Sequence, residues 1–329
     1  MGNSDASNSA GAGAPRDNLV PDVRDGLRPL QRQLLLVLHS LGSGPDRRPE
    51  PMDRVVDAIC ERYGQVSPSA AHAAAASLNG SRRNALPLVE YGAPQPGARL
   101  TAYGASVASG YGAPRLAGSD EPEALLTRLP GLLVHPGLGG PADHFSLMMP
   151  FHPARAASAA AAVLVKPETP DADLLELLGL PDPLSGGSIP DVAACAAAVR
   201  SGEGMFQFRM PARVAGASSI AVGGAAAPGT TAADLYQSLV QLRSGAKASS
   251  VGSLIAEVRA GSPGELLLVL AEGASAPEVL ERLYAETFLE SAVHWKSACV
   301  VGTSQPRIFG ACEVLRAWLP LEAAWLLMA

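Results

Sequence analysis

Residues 27–42 read LRPLQRQLLLVLHSLG, placing Leu30, Leu34, Val37, Leu38 and Leu41 at helical spacing before Gly42 closes the run. A stripe this regular has to be buried against other elements, so it commits the first part of the chain to a packed helical unit. Residues 53–63 repeat the pattern with Val55, Val56, Ile59 and Cys60, and after a break at 64–68 an alanine-rich stretch at 69–78 continues as helix. Two helices around a short turn predict a helix-turn-helix unit.

The rest of the chain alternates between helical and extended patterns. A short strand is predicted at 87–91, followed by a loop rich in Gly and Pro. Helices are expected at 121–129, 153–164, 171–178, 231–242 and 276–289, and a last one from Glu313. Strands are expected at 132–134, 205–214 and 264–270, with a hairpin formed by 299–301 and 307–309. Residues 1–15 are almost wholly Gly, Ala, Ser and Asn, which cannot bury enough surface to fix their backbone, so they read as a disordered tail. No repeat or heptad seam is present. The class is α+β.

Composition narrows the function. The chain has 329 residues, 47% of them hydrophobic, but 58 are alanine and only 5% are aromatic, which argues against a large aromatic-lined pocket. Its longest apolar runs, 156–165 and 266–271, are far shorter than a membrane helix, and the amino terminus has no basic-then-apolar pattern, so the expectation is a soluble, cytoplasmic protein without a membrane partner. Cys60, Cys195, Cys299 and Cys312 are scattered and read as buried free thiols. His135, Asp143, His144 and His152 cluster in sequence but fit no zinc spacing, and no phosphate loop or nucleophile elbow is found at 137–140 or Ser106.

The net charge of −6 is unevenly spread. Residues 16–115 hold twelve Arg, no Lys and nine acids, a balance of +3, whereas the remainder has thirteen bases against twenty-two acids. Any nucleic-acid contact is therefore expected in the first third.

The run VPDVRDGLRPLQR at 20–32 resembles the signature near the start of the DNA-cleaving subunit of type IIA topoisomerases, the family of the gyrase A subunit and its topoisomerase IV counterpart, with Arg28 where a Lys is usual. The similarity continues in order. Residues 53–59 with Arg62 and Tyr63 resemble the next family helix, and Tyr111 with Arg115, Leu116 and Ala117 resembles the block that holds the nucleophilic tyrosine. Segments 129–134, 150–153, 200–204, 278–284 and 305–308 resemble parts of the tower. The resemblance implies a disordered tail at 1–15, a winged-helix domain like that of catabolite activator protein at 16–120, a tower-like α/β domain at 121–312, and at 313–329 the start of a truncated coiled-coil helix. The coiled coil, exit gate and DNA-wrapping domain of the family have no counterpart, which implies a monomer or a weak dimer.

In the family, the tyrosine attacks a phosphodiester and holds the 5′ end covalently, and a partner Toprim subunit supplies magnesium. By resemblance Tyr111 stands at the nucleophile position, and Arg24, Arg28, Arg32 and Arg115 are the candidates for phosphate contact. This chain is expected to bind no cofactor itself. Its implied partners are duplex DNA, held weakly and without sequence preference, and a Toprim-ATPase topoisomerase subunit, with nucleoid association a consequence.

Several positions depart from the pattern. Gly110 replaces the arginine before the tyrosine, and Gln65, Val66, Ser67 and Pro68 replace a Pro-His-Gly-Asp stretch whose histidines serve the phosphate. Asn18 replaces an upstream basic residue, Gln33 the second of two arginines, and Ala73 and Ser77 an acid and an arginine of the recognition helix. Near the position of an intercalating isoleucine stand only Gly139, Gly140 and Pro141. Because an attacked phosphate needs fixed positive charge, these losses point to a catalytically degenerate paralogue. The alternative is a reduced but active subunit that breaks and rejoins DNA through Tyr111. Bland alternatives also stand: Tyr111 can simply pack and hydrogen-bond, the Arg24-Asp25-Gly26 turn can be held by its own ion pair, and Arg28, Arg32 and Arg115 can lie on a solvated face.

Overall fold

The computed structural model describes residues 20–79, 86–92, 96–109, 129–134, 146–147, 149–182, 186–223, 232–244, 250–262, 265–302 and 304–326. The tail at 1–15 and the helix expected at 121–129, all but its last residue, lie outside these. The fold is mixed helix and sheet, as its patterning requires.

The first elements are α1 (Pro29–Ser40), β1 (Glu50–Pro51), α2 (Met52–Tyr63), α3 (Pro68–Leu78), β2 (Val89–Gly92), β3 (Gly97–Leu100) and α4 (Ala102–Ser109). Pro29 opens α1, where its missing N–H costs nothing, and Gln31 Oε1 accepts the Arg28 N–H at 2.8 Å. The stripe Leu34, Leu35, Val37 and Leu38 is buried against Val55 and Ile59 of α2 and Ala71, Ala75 and Leu78 of α3. The alanines of α3 let it lie close to its neighbours. The strands form an antiparallel sheet in the order β1-β3-β2, in register Glu50↔Ala98 and Val89↔Leu100.

Then follow α5 (Gly131–Val134), β4 (Ser146–Leu147), α6 (Pro153–Val165), α7 (Asp171–Leu178), α8 (Val192–Ser201), β5 (Glu203–Arg209), β6 (Ala212–Gly216), β7 (Ser219–Gly223), α9 (Ala232–Arg243), β8 (Ile255–Ala260), β9 (Glu265–Leu270), α10 (Ala276–Glu286), β10 (Glu290–Cys299), β11 (Arg307–Ile308) and α11 (Ala311–Leu326). β6-β7-β9-β8 form one antiparallel sheet, and β10 collects β11, β4 and β5 into another. The few aromatics are concentrated between the second sheet and its helices, where Trp295 meets Phe151 edge-on at 6.3 Å and Phe206 at 6.2 Å.

Two expectations change. Residues 132–134 are not a strand but belong to the helical turn α5: the Pro130 carbonyl accepts the Leu133 N–H at 2.9 Å, and a short run buried on all sides carries no period to distinguish the two. The strand expected at 205–214 is broken at Pro211, which has no N–H for a ladder, so β5 pairs with β10 while β6 turns to β7. The hairpin is found, with Ala298↔Ile308 and Cys299↔Arg307. No helix among the described residues is long and apolar enough to cross a membrane.

Candidate nucleic-acid interface

The site grows out of the turn that precedes α1. Its backbone closes on itself, with the Gly26 N–H donating to the Asp22 carbonyl at 2.8 Å and the Asp22 N–H to the Leu27 carbonyl at 3.0 Å. Closure requires φ +73° at Gly26, and a Cβ there would run into the backbone of Gly131 and Leu132, so glycine is required twice over.

The turn carries two carboxylates, each met by an arginine. Arg24 grips Asp22 as a fork, Nε to Oδ1 at 2.9 Å and Nη2 to Oδ2 at 2.7 Å, while its own N–H adds a bond to Oδ1 at 2.9 Å. Burial alone would raise the Asp22 pKa, but the hydrogen bonds and charge of Arg24 outweigh it and hold the carboxyl below its ordinary value. Hydrogen bonding to Asp22 raises the Arg24 pKa in turn. Asp25 is paired with Arg32, one helical turn into α1: Nε reaches Oδ2 at 2.6 Å, and Nη2 reaches Oδ1 at 3.1 Å and the Leu27 carbonyl at 2.8 Å. The pairing therefore skips the neighbours Arg24 and Asp25 and runs to Asp22 on one side and Arg32 on the other.

These contacts place the candidate phosphate ligands differently from one another. The side chain of Arg32 is 7% exposed and is spent on the turn. That of Arg24 is 26% exposed and occupied by its fork. Arg28, half-buried, sits at the N-terminus of α1. Gly110, Tyr111 and Arg115 lie outside the described residues, as do Asn18, His135, Gly139, Gly140, Pro141, Asp143 and His144.

The positions that depart from the family signature are put to structural use. Ser67 caps α3, its Oγ accepting the Ala70 N–H at 3.2 Å, and Pro68 starts the helix. Ser77 donates to the Ala74 carbonyl at 2.7 Å and accepts from Gln31 Nε2 at 2.8 Å, tying α3 to α1. Ala73 presents a methyl to solvent. His72 and Tyr91 meet at 2.7 Å, joining α3 to β2. His152 caps α6, its Nδ1 accepting the Ala154 N–H at 3.2 Å.

Several arginines of the first third are held in ion pairs. Beyond the two in the turn, Arg54 pairs with Glu50 at 2.8 Å and Arg99 with Glu90 at 2.5 Å. Arg47 and Arg48, in the loop before β1, and Arg62, at the end of α2, are exposed and make no ion pair among the described residues. Sequence reasoning named none of these three as a phosphate ligand, because a count of charges does not say which are spent. The four cysteines are free thiols, Cys60 half-buried rather than buried as expected; burial pushes Cys195 and Cys312 up to about 11 and raises Cys299 further, so these three are not poised as nucleophiles.

No family model matches the chain. A topoisomerase subunit of Mycolicibacterium smegmatis, TopoM, is 24% identical over 326 residues, covering 93% of this chain and 45% of that protein. The A subunit of DNA topoisomerase 4 from Escherichia coli K12 is 26% identical over 333 residues, covering 92% and 43%, and that of Pseudomonas aeruginosa is 24% identical over 327 residues with the same coverage. The chain thus spans less than half the length of these relatives. Taken with the turn that the signature at 20–32 describes, these likenesses make the chain similar, at 24–26% identity over about 92% of its length, to a topoisomerase subunit and to the A subunits of topoisomerase IV.

Proposed function

We propose that this chain is a catalytically degenerate A-subunit relative that binds duplex DNA weakly and, without cleaving it, docks on a Toprim-bearing topoisomerase subunit. On this reading residues 16–120 are a winged-helix unit, because the order helix, strand, helix, helix, strand, strand from α1 to β3 suits a unit that lays α3 against a duplex. Residues 121–312 are the tower-like domain and the helix from 313 continues out of it.

One observation carries the reading. Ser67, in the stretch that replaces the histidines serving the phosphate, caps α3; Ser77, where the recognition helix has an arginine, ties α3 to α1; and Arg32, a candidate phosphate ligand, is the counter-ion of Asp25. A phosphoryl group under attack spreads negative charge over its oxygens and needs positive groups aimed at it in advance. With Gly110 before Tyr111, the segment around the phenol adds no such group until Arg115. On this reading magnesium would come with the partner, as the resemblance implies. Phosphate contacts fall to Arg47, Arg48 and Arg62, with Arg28, and give an affinity that drops steeply with salt.

The test is a cleavage assay with the full chain, a Toprim-ATPase subunit, magnesium and supercoiled DNA. No protein-linked DNA is expected after detergent and protease, and Tyr111→Phe should match the unsubstituted protein. The second reading, a reduced but active subunit, is favoured by the retention of Tyr111 itself, and a covalent adduct that disappears in Tyr111→Phe would establish it instead.

A further inference from the structure

Two separate hydrophobic cores divide the described residues, one gathering α1 to α4 with their small sheet and the other everything from α5 onward. Among the described residues no helix or strand of the first group packs broadly on one of the second. Where few contacts join two such units, relative motion is the default. Besides Leu86, which packs against the larger core, the turn at 20–27 spans them: Val23 belongs to the larger core, and Leu27, four residues on, to the smaller.

The contacts of the turn are divided the same way. Toward the larger unit, the Val23 N–H donates to the Val300 carbonyl at 2.8 Å, the Val300 N–H to the Pro21 carbonyl at 3.0 Å, and the Gly302 N–H to Asp22 Oδ2 at 3.0 Å. Gly26 rests directly on the backbone of α5. Toward the smaller unit, Asp25 Oδ1 accepts the Leu27 N–H at 2.9 Å and the same carboxylate takes the Arg32 guanidinium from α1. A buried carboxylate is tolerated only when paired and hydrogen-bonded, and Arg24 does this for Asp22 without drawing on either unit.

We infer that this turn is a two-sided clasp that fixes the orientation of the arginine-bearing unit against the larger one, and that Asp22 is the positioning residue on the larger side. Asp22 holds Gly302 while Asp25 holds α1, so the direction in which Arg47, Arg48 and Arg62 face is set by four residues of chain. The inference is independent of whether DNA is cut.

It is tested on the full chain by the distance between spin labels at Ala76→Cys on α3 and Ala197→Cys on α8, both exposed, in a Cys60→Ser background. The unsubstituted turn should give one narrow distance distribution. Asp22→Ala should broaden it while tryptophan fluorescence stays unchanged, since Trp295 and Trp318 are buried in the larger core. A distribution that stays narrow in folded Asp22→Ala overturns the clasp. Should Asp22→Ala not fold, Asp22→Asn retains an acceptor for Gly302 but loses the charge facing Arg24, and amide exchange in α1 to α3 should become about tenfold faster with exchange in β5 and β10 unaltered. Equal rates in α1 to α3, or a matching rise in β5 and β10, overturn it as well.

Discussion

Arg32 and Asp25 form a buried ion pair at 2.6 Å, seven residues apart, that closes the turn at 20–27 against the first helical turn of α1. Replacing either partner alone leaves the other charge buried without a counter-ion, which typically costs about 3–5 kcal/mol. Asp25→Ala and Arg32→Ala are each expected to lower the unfolding free energy of the first unit by that amount, read from urea unfolding. Arg32→Lys should recover little, because the fork reaches both carboxylate oxygens and the Leu27 carbonyl at once. A lysine variant as stable as the original would show that charge alone, not the fork, holds the turn.

Gly26 makes a sharper prediction from a smaller change. At φ +73°, an added methyl meets both an unfavourable backbone region and the peptide of Gly131 and Leu132. Gly26→Ala should destabilise by about 2–4 kcal/mol, more than the strain of the dihedral alone. The open space around Gly64 (φ +94°) provides the comparison, since Gly64→Ala bears the dihedral cost without a clash. Similar losses at the two sites, measured by chemical denaturation, would remove the argument from close approach.

Asp22 predicts a pH dependence with a definite sign. Its pKa is lower folded than unfolded, so the unfolded chain takes up the proton more readily and acid favours unfolding. The contribution is complete above the ordinary carboxylate value of 3.8 and is lost as pH falls from there through the folded value. The stability difference between the unsubstituted protein and Asp22→Asn should therefore hold steady above about pH 5 and shrink on acidification below about 4. A constant difference down to about pH 2 would mean that Arg24 does not depress this carboxyl.

The parts of this architecture that sequence could reach are those with a repeating period. The leucines of α1 recur over three turns and leave one arrangement open, whereas the four apolar residues of α5 are compatible with strand or helix until Pro130 is seen to accept the Leu133 N–H. β10 has a legible alternation, Val293 and Trp295 inward against His294 and Lys296 outward, yet its charged face hides it from a search for apolar runs. The site is less legible still. An Arg-Asp-Gly turn invites a pair between neighbours, but the actual partners, Asp22 and Arg32, are chosen by the closure of the loop and the start of a helix. Solvent exposure, which separates Arg47 from Arg32, is a property of packing and leaves no mark on local sequence.

That separation leads to the prediction that most directly concerns DNA. Counterion release makes non-specific affinity depend on the number of cations that reach phosphates, and a guanidinium already held by a carboxylate releases little. Arg47 and Arg48 are exposed without ion pairs among the described residues, while Arg24 is forked to Asp22 and Arg32 is buried on Asp25. Arg47→Ala with Arg48→Ala should therefore weaken duplex binding at low salt and reduce the slope of log affinity against log salt by about 2. Arg24→Ala should leave both the affinity and the slope close to those of the unsubstituted protein, provided binding is measured where the variant is folded. The reverse pattern, with Arg24 dominating and the pair at 47 and 48 silent, would mean that the Asp22 fork opens on DNA and that the turn itself is the phosphate contact.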